Sequence, residues 1–83
     1  MKLASILPEV QGKFESRVED IKIHAQGLKK IGRYKDFNTR LAFDCLYVII
    51  GSETMCKWYK QYNVNDTHIN RLAQRALRNM GII

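Results

Sequence analysis

Apolar residues recur along the first third of the chain at Phe14, Val18, Ile21, Ala25 and Leu28, at spacings of four, three, four and three. Those spacings trace one face of a helix, so the pattern predicts an amphipathic helix opening near Pro8 or Glu9. Lys13, Glu15, Arg17 and Glu19 fall off that seam. Gly27 weakens the helix and Gly32 is the better stop. A second helix, capped by Asn38 or Thr39, places Leu41, Ala42, Cys45, Leu46, Val48 and Ile49 on a broad apolar face. Its stretch Leu46–Ile50 also reads as a buried strand, but no second strand is visible to pair with it, and helix is preferred.

Gly51 punctuates the chain, and Ser52 followed by Glu53 caps a third helix carrying Met55, Trp58, Tyr59 and Tyr62. Asn63-Val64-Asn65-Asp66 is a turn by composition. Asp66 or Thr67 then caps a last helix with the cleanest stripe of all: Ile69, Leu72, Ala73, Ala76, Leu77 and Met80. Gly81 stands where a left-handed residue closes such a helix. The fold class expected is all-α, a bundle of about four helices in one domain spanning 1–83.

Composition narrows the class. With 46% hydrophobic and 27% charged residues, the chain can fill a core and is not expected to be disordered. No run approaches the roughly 20 apolar residues of a membrane span, and the run Leu3–Leu7 is too short for a signal peptide. Cys45 and Cys56 are too few for a disulfide framework. A cytoplasmic address with reduced thiols is the expectation.

Charge changes the picture most. Fourteen Lys and Arg against eight Asp and Glu give +6, and the excess is unevenly placed. Residues 21–35 hold no acid and five bases, Lys22, Lys29, Lys30, Arg33 and Lys35, with Tyr34 among them and Phe37 close behind. The polar face of the last helix carries Asn70, Arg71, Gln74, Arg75, Arg78 and Asn79, with no acid after Asp66. Arg, Asn and Gln bond bidentately to base edges, and Arg also binds phosphate.

Residues 55–74 resemble a helix-turn-helix unit, with Asn63 at the hinge and Trp58, Tyr62, Val64, Ile69 and Leu72 at its apolar positions. The resemblance implies a groove-facing set of Asn65, Thr67, Asn70, Arg71 and Gln74. Two positions depart from the pattern: Tyr59 stands where the unit has a small residue, and the hinge is Asn rather than Gly.

Catalytic and metal chemistry find little support. His24, Cys45, Cys56 and His68 lack the paired spacing of most zinc sites. No Ser or Cys is bracketed by a nucleophile motif, and the five glycines form no phosphate-cradling loop. The expectation is a non-enzymatic protein with no cofactor and no metal, a nucleic-acid-binding regulator that grips its ligand through Lys29, Lys30, Arg33, Lys35, Asn70, Arg71, Gln74, Arg75 and Arg78. It would pair as a homodimer through the first-helix seam. The alternative is a protein-interaction module, an adaptor or inhibitor of the kind phages and plasmids encode. It would dock on an acidic or nucleic-acid-binding partner surface through Trp58, Tyr59 and Tyr62.

Overall fold

The long amphipathic seam is carried by two helices instead of one. The computed structural model describes residues 3–32 and 35–83. In it α1 spans Leu3–Glu15 and α2 spans Val18–Ile31, separated by a turn at Ser16–Arg17. The turn is stitched locally: Ser16 Oγ donates to the carbonyl of Lys13 at 2.6 Å, and the Arg17 amide to that of Phe14 at 3.0 Å. Glu19 and Asp20 then stand in the first turn of α2, where carboxylates complement the helix dipole. Helix α1 also begins earlier than the sequence suggests, and Pro8 lies inside it. Pro8 has no N–H for the carbonyl four residues back, so α1 runs on with one backbone bond missing. Starting at Leu3 adds Ile6 and Val10 to Phe14 as a fully buried stripe with a spacing of four.

Helix α3 covers Phe37–Asp44 and passes directly into a π-helical segment, Cys45–Gly51. The β-branched stretch is thus helical, in the wider π geometry. Gly51, at φ 103° and ψ 150°, breaks the chain direction before α4, Ser52–Tyr62. Ser52 is the first residue of α4, not its cap, and Gly51 in the cap position offers no side-chain bond. Helix α3 is capped by Asp36, whose Oδ1 accepts from the Thr39 amide at 3.1 Å, so Asn38 and Thr39 lie inside the helix. Helix α5, Asp66–Asn79, is capped by Asn65, whose Oδ1 accepts from the His68 amide at 2.9 Å, one residue ahead of the expected cap.

The helix ends fall where the glycines and Asn63 put them. Gly32 closes α2 at φ 66°, and Asn63 closes α4 at φ 51°. Gly81, at φ 77°, completes a Schellman motif: its amide bonds Arg78 O and that of Ile82 bonds Leu77 O.

The chain is an all-α bundle, as expected, with each expected helical segment present and the first divided. Helix α5 packs chiefly on α1 and α3, α3 also on α2, and α4 on the π-helical segment. Trp58, Phe14, Ile21, Leu41, Leu46, Ile69 and Leu77 are among the core residues with almost no exposed surface. The seam of Phe14, Ile21, Ala25 and Leu28 faces this core. It is therefore filled by the chain's own helices and offers no apolar face for the homodimer expected there. No helix among the described residues is long and apolar enough to cross a membrane.

Candidate nucleic-acid interface

A helix turns by about 100° per residue, so Arg71, Arg75 and Arg78 fall on one side of α5. That side lies opposite Ile69, Ala73, Ala76 and Leu77, which are buried. All three arginines are exposed, and no ion pair holds any of them among the described residues. The stripe runs about 10 Å along the helix axis.

The amides of the same helix behave differently. Asn70 is 4% exposed and donates from Nδ2 to the carbonyl of Thr39 at 3.2 Å. Gln74 is half-buried and donates from Nε2 to Asn70 Oδ1 at 2.6 Å and to Thr39 Oγ1 at 3.4 Å. Thr39 in turn donates to Asp36 Oδ2 at 2.7 Å. These bonds from the Thr39 hydroxyl and amide hold the Asp36 carboxyl below its ordinary 3.8. Asn70 and Gln74 thus tie α5 to the first turn of α3. They are corrected from ligand-contact residues to internal anchors, because burial and their existing bonds keep their amides from a base edge. On the opposite flank of α5, Asn79 Nδ2 bonds Gln11 of α1 at 2.9 Å.

The α2 lysines are exposed, and two of them meet the end of α5. Lys22, Ala25, Gln26 and Lys29 line a shallow cavity of about 170 Å³ with Gly81 and Ile82. Lys29 Nζ also sits 6.0 Å from the ring centroid of Phe37. Phe37 itself is partly buried against the core. The cavity brings Lys22 and Lys29 of α2 to the turn that closes α5. Lys30 and Lys35 are exposed nearby in sequence, while Arg33 and Tyr34 lie outside the described residues.

The proposed aromatic partner patch is divided as well. Trp58 is 1% exposed, a core residue, because its indole fills the space between α4 and the bundle. Tyr59 is half-buried, and its hydroxyl donates to Asp66 Oδ1 and lies 2.9 Å from the Tyr47 hydroxyl. Tyr47 donates to the same carboxylate oxygen at 3.0 Å. Burial first, then the bond to Asp66, raises the Tyr59 pKa well above the usual phenol range. The neighbouring Glu9 carboxylate of α1 raises the Tyr62 pKa too.

The turn between α4 and α5 has the left-handed Asn63 hinge and buried Val64, Ile69 and Leu72 of the helix-turn-helix pattern. Its main difference is that α5 finds its chief neighbours in α1 and α3. Tyr59, at the position where a small residue lets two helices cross closely, reaches across to Asp66 instead.

Two groupings were not foreseen from the sequence. One is the Tyr47–Tyr59–Asp66 cluster. The other joins α2 to α3: His24 Nε2 lies 2.8 Å from Asp44 Oδ2, and Arg40 Nε lies 3.2 Å from Asp44 Oδ1. Cys45 is buried and Cys56 exposed, so with His24 held by Asp44 the four candidate metal-ligating residues are dispersed. No protein-family model, curated protein or solved structure matches the chain.

Proposed function

We propose that this protein is a small, non-catalytic nucleic-acid-binding regulator that grips phosphates through Arg71, Arg75 and Arg78, with Lys22 and Lys29 extending the grip. The observation that carries the reading is the stripe itself: three exposed arginines on one side of α5, held by no ion pair among the described residues. A stripe of positive charge along one side of α5 favours a polyanion, and guanidinium groups free of ion pairs need shed no carboxylate before binding.

The test is fluorescence anisotropy of a labelled oligonucleotide across a salt series. With four or five phosphates neutralised, log affinity falls against log salt with a slope of about −3 to −5. Each Arg→Ala substitution in the stripe weakens binding and reduces the slope by about 1. No binding at low salt refutes the reading.

A protein-interaction module is the second reading, favoured by one observation: Val48 and Tyr47 are 68% and 41% exposed side by side on the π-helical segment. Nuclease-insensitive recovery of one stoichiometric partner, lost on Val48→Asp substitution, would support it over nucleic-acid binding.

A further inference from the structure

We infer that the nucleic acid is single-stranded, with bases stacking on Tyr47 and Phe43 and phosphates following Arg71, Arg75 and Arg78. The inference rests on the reading just given and names its substrate class.

Helix α5 does not protrude. One flank is bonded through Asn79 to Gln11 of α1, and the other through Asn70 and Gln74 to Thr39 of α3. Only the strip bearing the arginines is left open. Reading a duplex requires a helix that enters a groove about 12 Å wide and presents side chains to base edges. Neighbours on both flanks oppose that entry, and the two amides suited to reading adenine are already bonded.

The surface beside the strip offers a different contact. Thr39 lies against Asn70 and Gln74, and Tyr47 lies against Asp66, so α3 and its π-helical extension run antiparallel to α5. Phe43 falls between those two contacts. Its ring centroid is 6.2 Å from that of Tyr47, with the planes tilted by 32°. Tyr47 is 41% exposed and its hydroxyl is tethered to both Tyr59 and Asp66, so its ring is held in place before any ligand arrives. Bases stack on such platforms without regard to sequence, while a basic track holds the backbone. Helices in contact lie about 8–10 Å apart, and the two contacts set the rings level with the first turns of α5, beside the Arg71 end of the strip. The Asp66 and Asp36 carboxylates border the α3 side, which directs phosphates towards the arginines and bases towards the rings.

The experiment compares a fluorescein-labelled oligo-dT of about 15 nucleotides with the same strand annealed to oligo-dA, for the wild type, Tyr47→Leu and Tyr47→Phe. The single strand should bind at least about ten-fold more tightly than the duplex, and Tyr47→Leu should weaken it about ten-fold while Tyr47→Phe, which keeps the ring but not its tether, weakens it less. Circular dichroism confirms that each variant is folded, and Phe43→Leu gives a second probe of the platform. Equal or tighter duplex binding, or a folded Tyr47→Leu and Phe43→Leu that both bind the single strand normally, overturns this inference and leaves the phosphate grip standing. Failure of both oligonucleotides to bind at low salt overturns the grip as well.

Discussion

Arg17 donates from Nη1 to the main-chain carbonyl oxygen of Ile49 at 3.1 Å, joining two positions 32 residues apart. Arg17 precedes α2 at the point where the seam divides, and Ile49 lies near the end of the π-helical segment. Carbonyls near a helix end lack their intrahelical partner, so the guanidinium supplies one. The same side chain bonds Asp20 at 2.8 Å, an exposed pair in which each side chain keeps about half its surface.

Arg17→Ala should therefore destabilise the fold by about 1–2 kcal/mol, as expected for a charged donor lost from a backbone carbonyl. Asp20→Ala removes the exposed ion pair and one of the two first-turn carboxylates of α2, and should cost under about 1 kcal/mol. Urea midpoints for the two variants measure the difference. Equal midpoints would show that the Ile49 contact contributes nothing.

Asn70 and Arg71 are adjacent in sequence and opposite in role. Asn70→Ala leaves the Thr39 carbonyl and the Gln74 amide without their buried partner and should cost about 1–3 kcal/mol of stability. It should leave the oligonucleotide affinity of the folded protein unchanged. Arg71→Ala should shift stability by no more than about 0.5 kcal/mol while weakening binding. Paired denaturation and anisotropy measurements test this crossing.

The two cysteines should differ sharply towards alkylating agents. Burial, with the neighbouring Asp44 charge adding to it, pushes the Cys45 thiol from its ordinary 9.0 up to about 12. Since the thiolate is the nucleophile, Cys45 stays protonated and inert in the folded chain, whereas Cys56 is exposed. Iodoacetamide at mildly alkaline pH should add one group per folded molecule, at Cys56, and two after unfolding. Mass spectrometry of the intact and digested chain reads both.

Alkaline pH should unfold the protein progressively. Cys45 and Tyr59 both have folded pKa values raised above their unfolded ones. The unfolded chain thus loses these protons first. Stability from this source is full below about pH 9 and falls as pH rises from there towards 12, where the folded Cys45 titrates. Replacing Cys45 by Ala should flatten the decline in urea midpoint across that window. An unchanged decline would assign the effect to other groups.

Local signals in the sequence were reliable where one residue type decides the outcome. Gly32, Asn63 and Gly81 each adopt the left-handed backbone that ends a helix, and all three are legible as stops. The α5 stripe was equally plain, because its apolar positions repeat in phase over the whole helix. The break at Ser16–Arg17 was not, since neither residue is a helix breaker and Phe14, Val18 and Ile21 stay in register across it. The arginine stripe was legible as a charged face. What became of Asn70 and Gln74 was not, because it depends on which helix lies alongside, and Thr39 is 31 and 35 residues away. The Tyr47 platform was hidden for the same reason, its anchors being Tyr59 and Asp66.

The wide turns of Cys45–Gly51 act as a phase corrector. In a regular α-helix, Thr39 and Tyr47 would be rotated about 80° apart around the axis, and only one could face α5. Each π turn takes in one residue more before it closes, which brings the later position back towards the line of the earlier one. Thr39 and Tyr47 both reach α5 as a result, one to its middle and one to its first residue. A chain shortened by one residue in this segment would gain a more regular helix and lose that alignment, and the aromatic platform would turn away from the arginines.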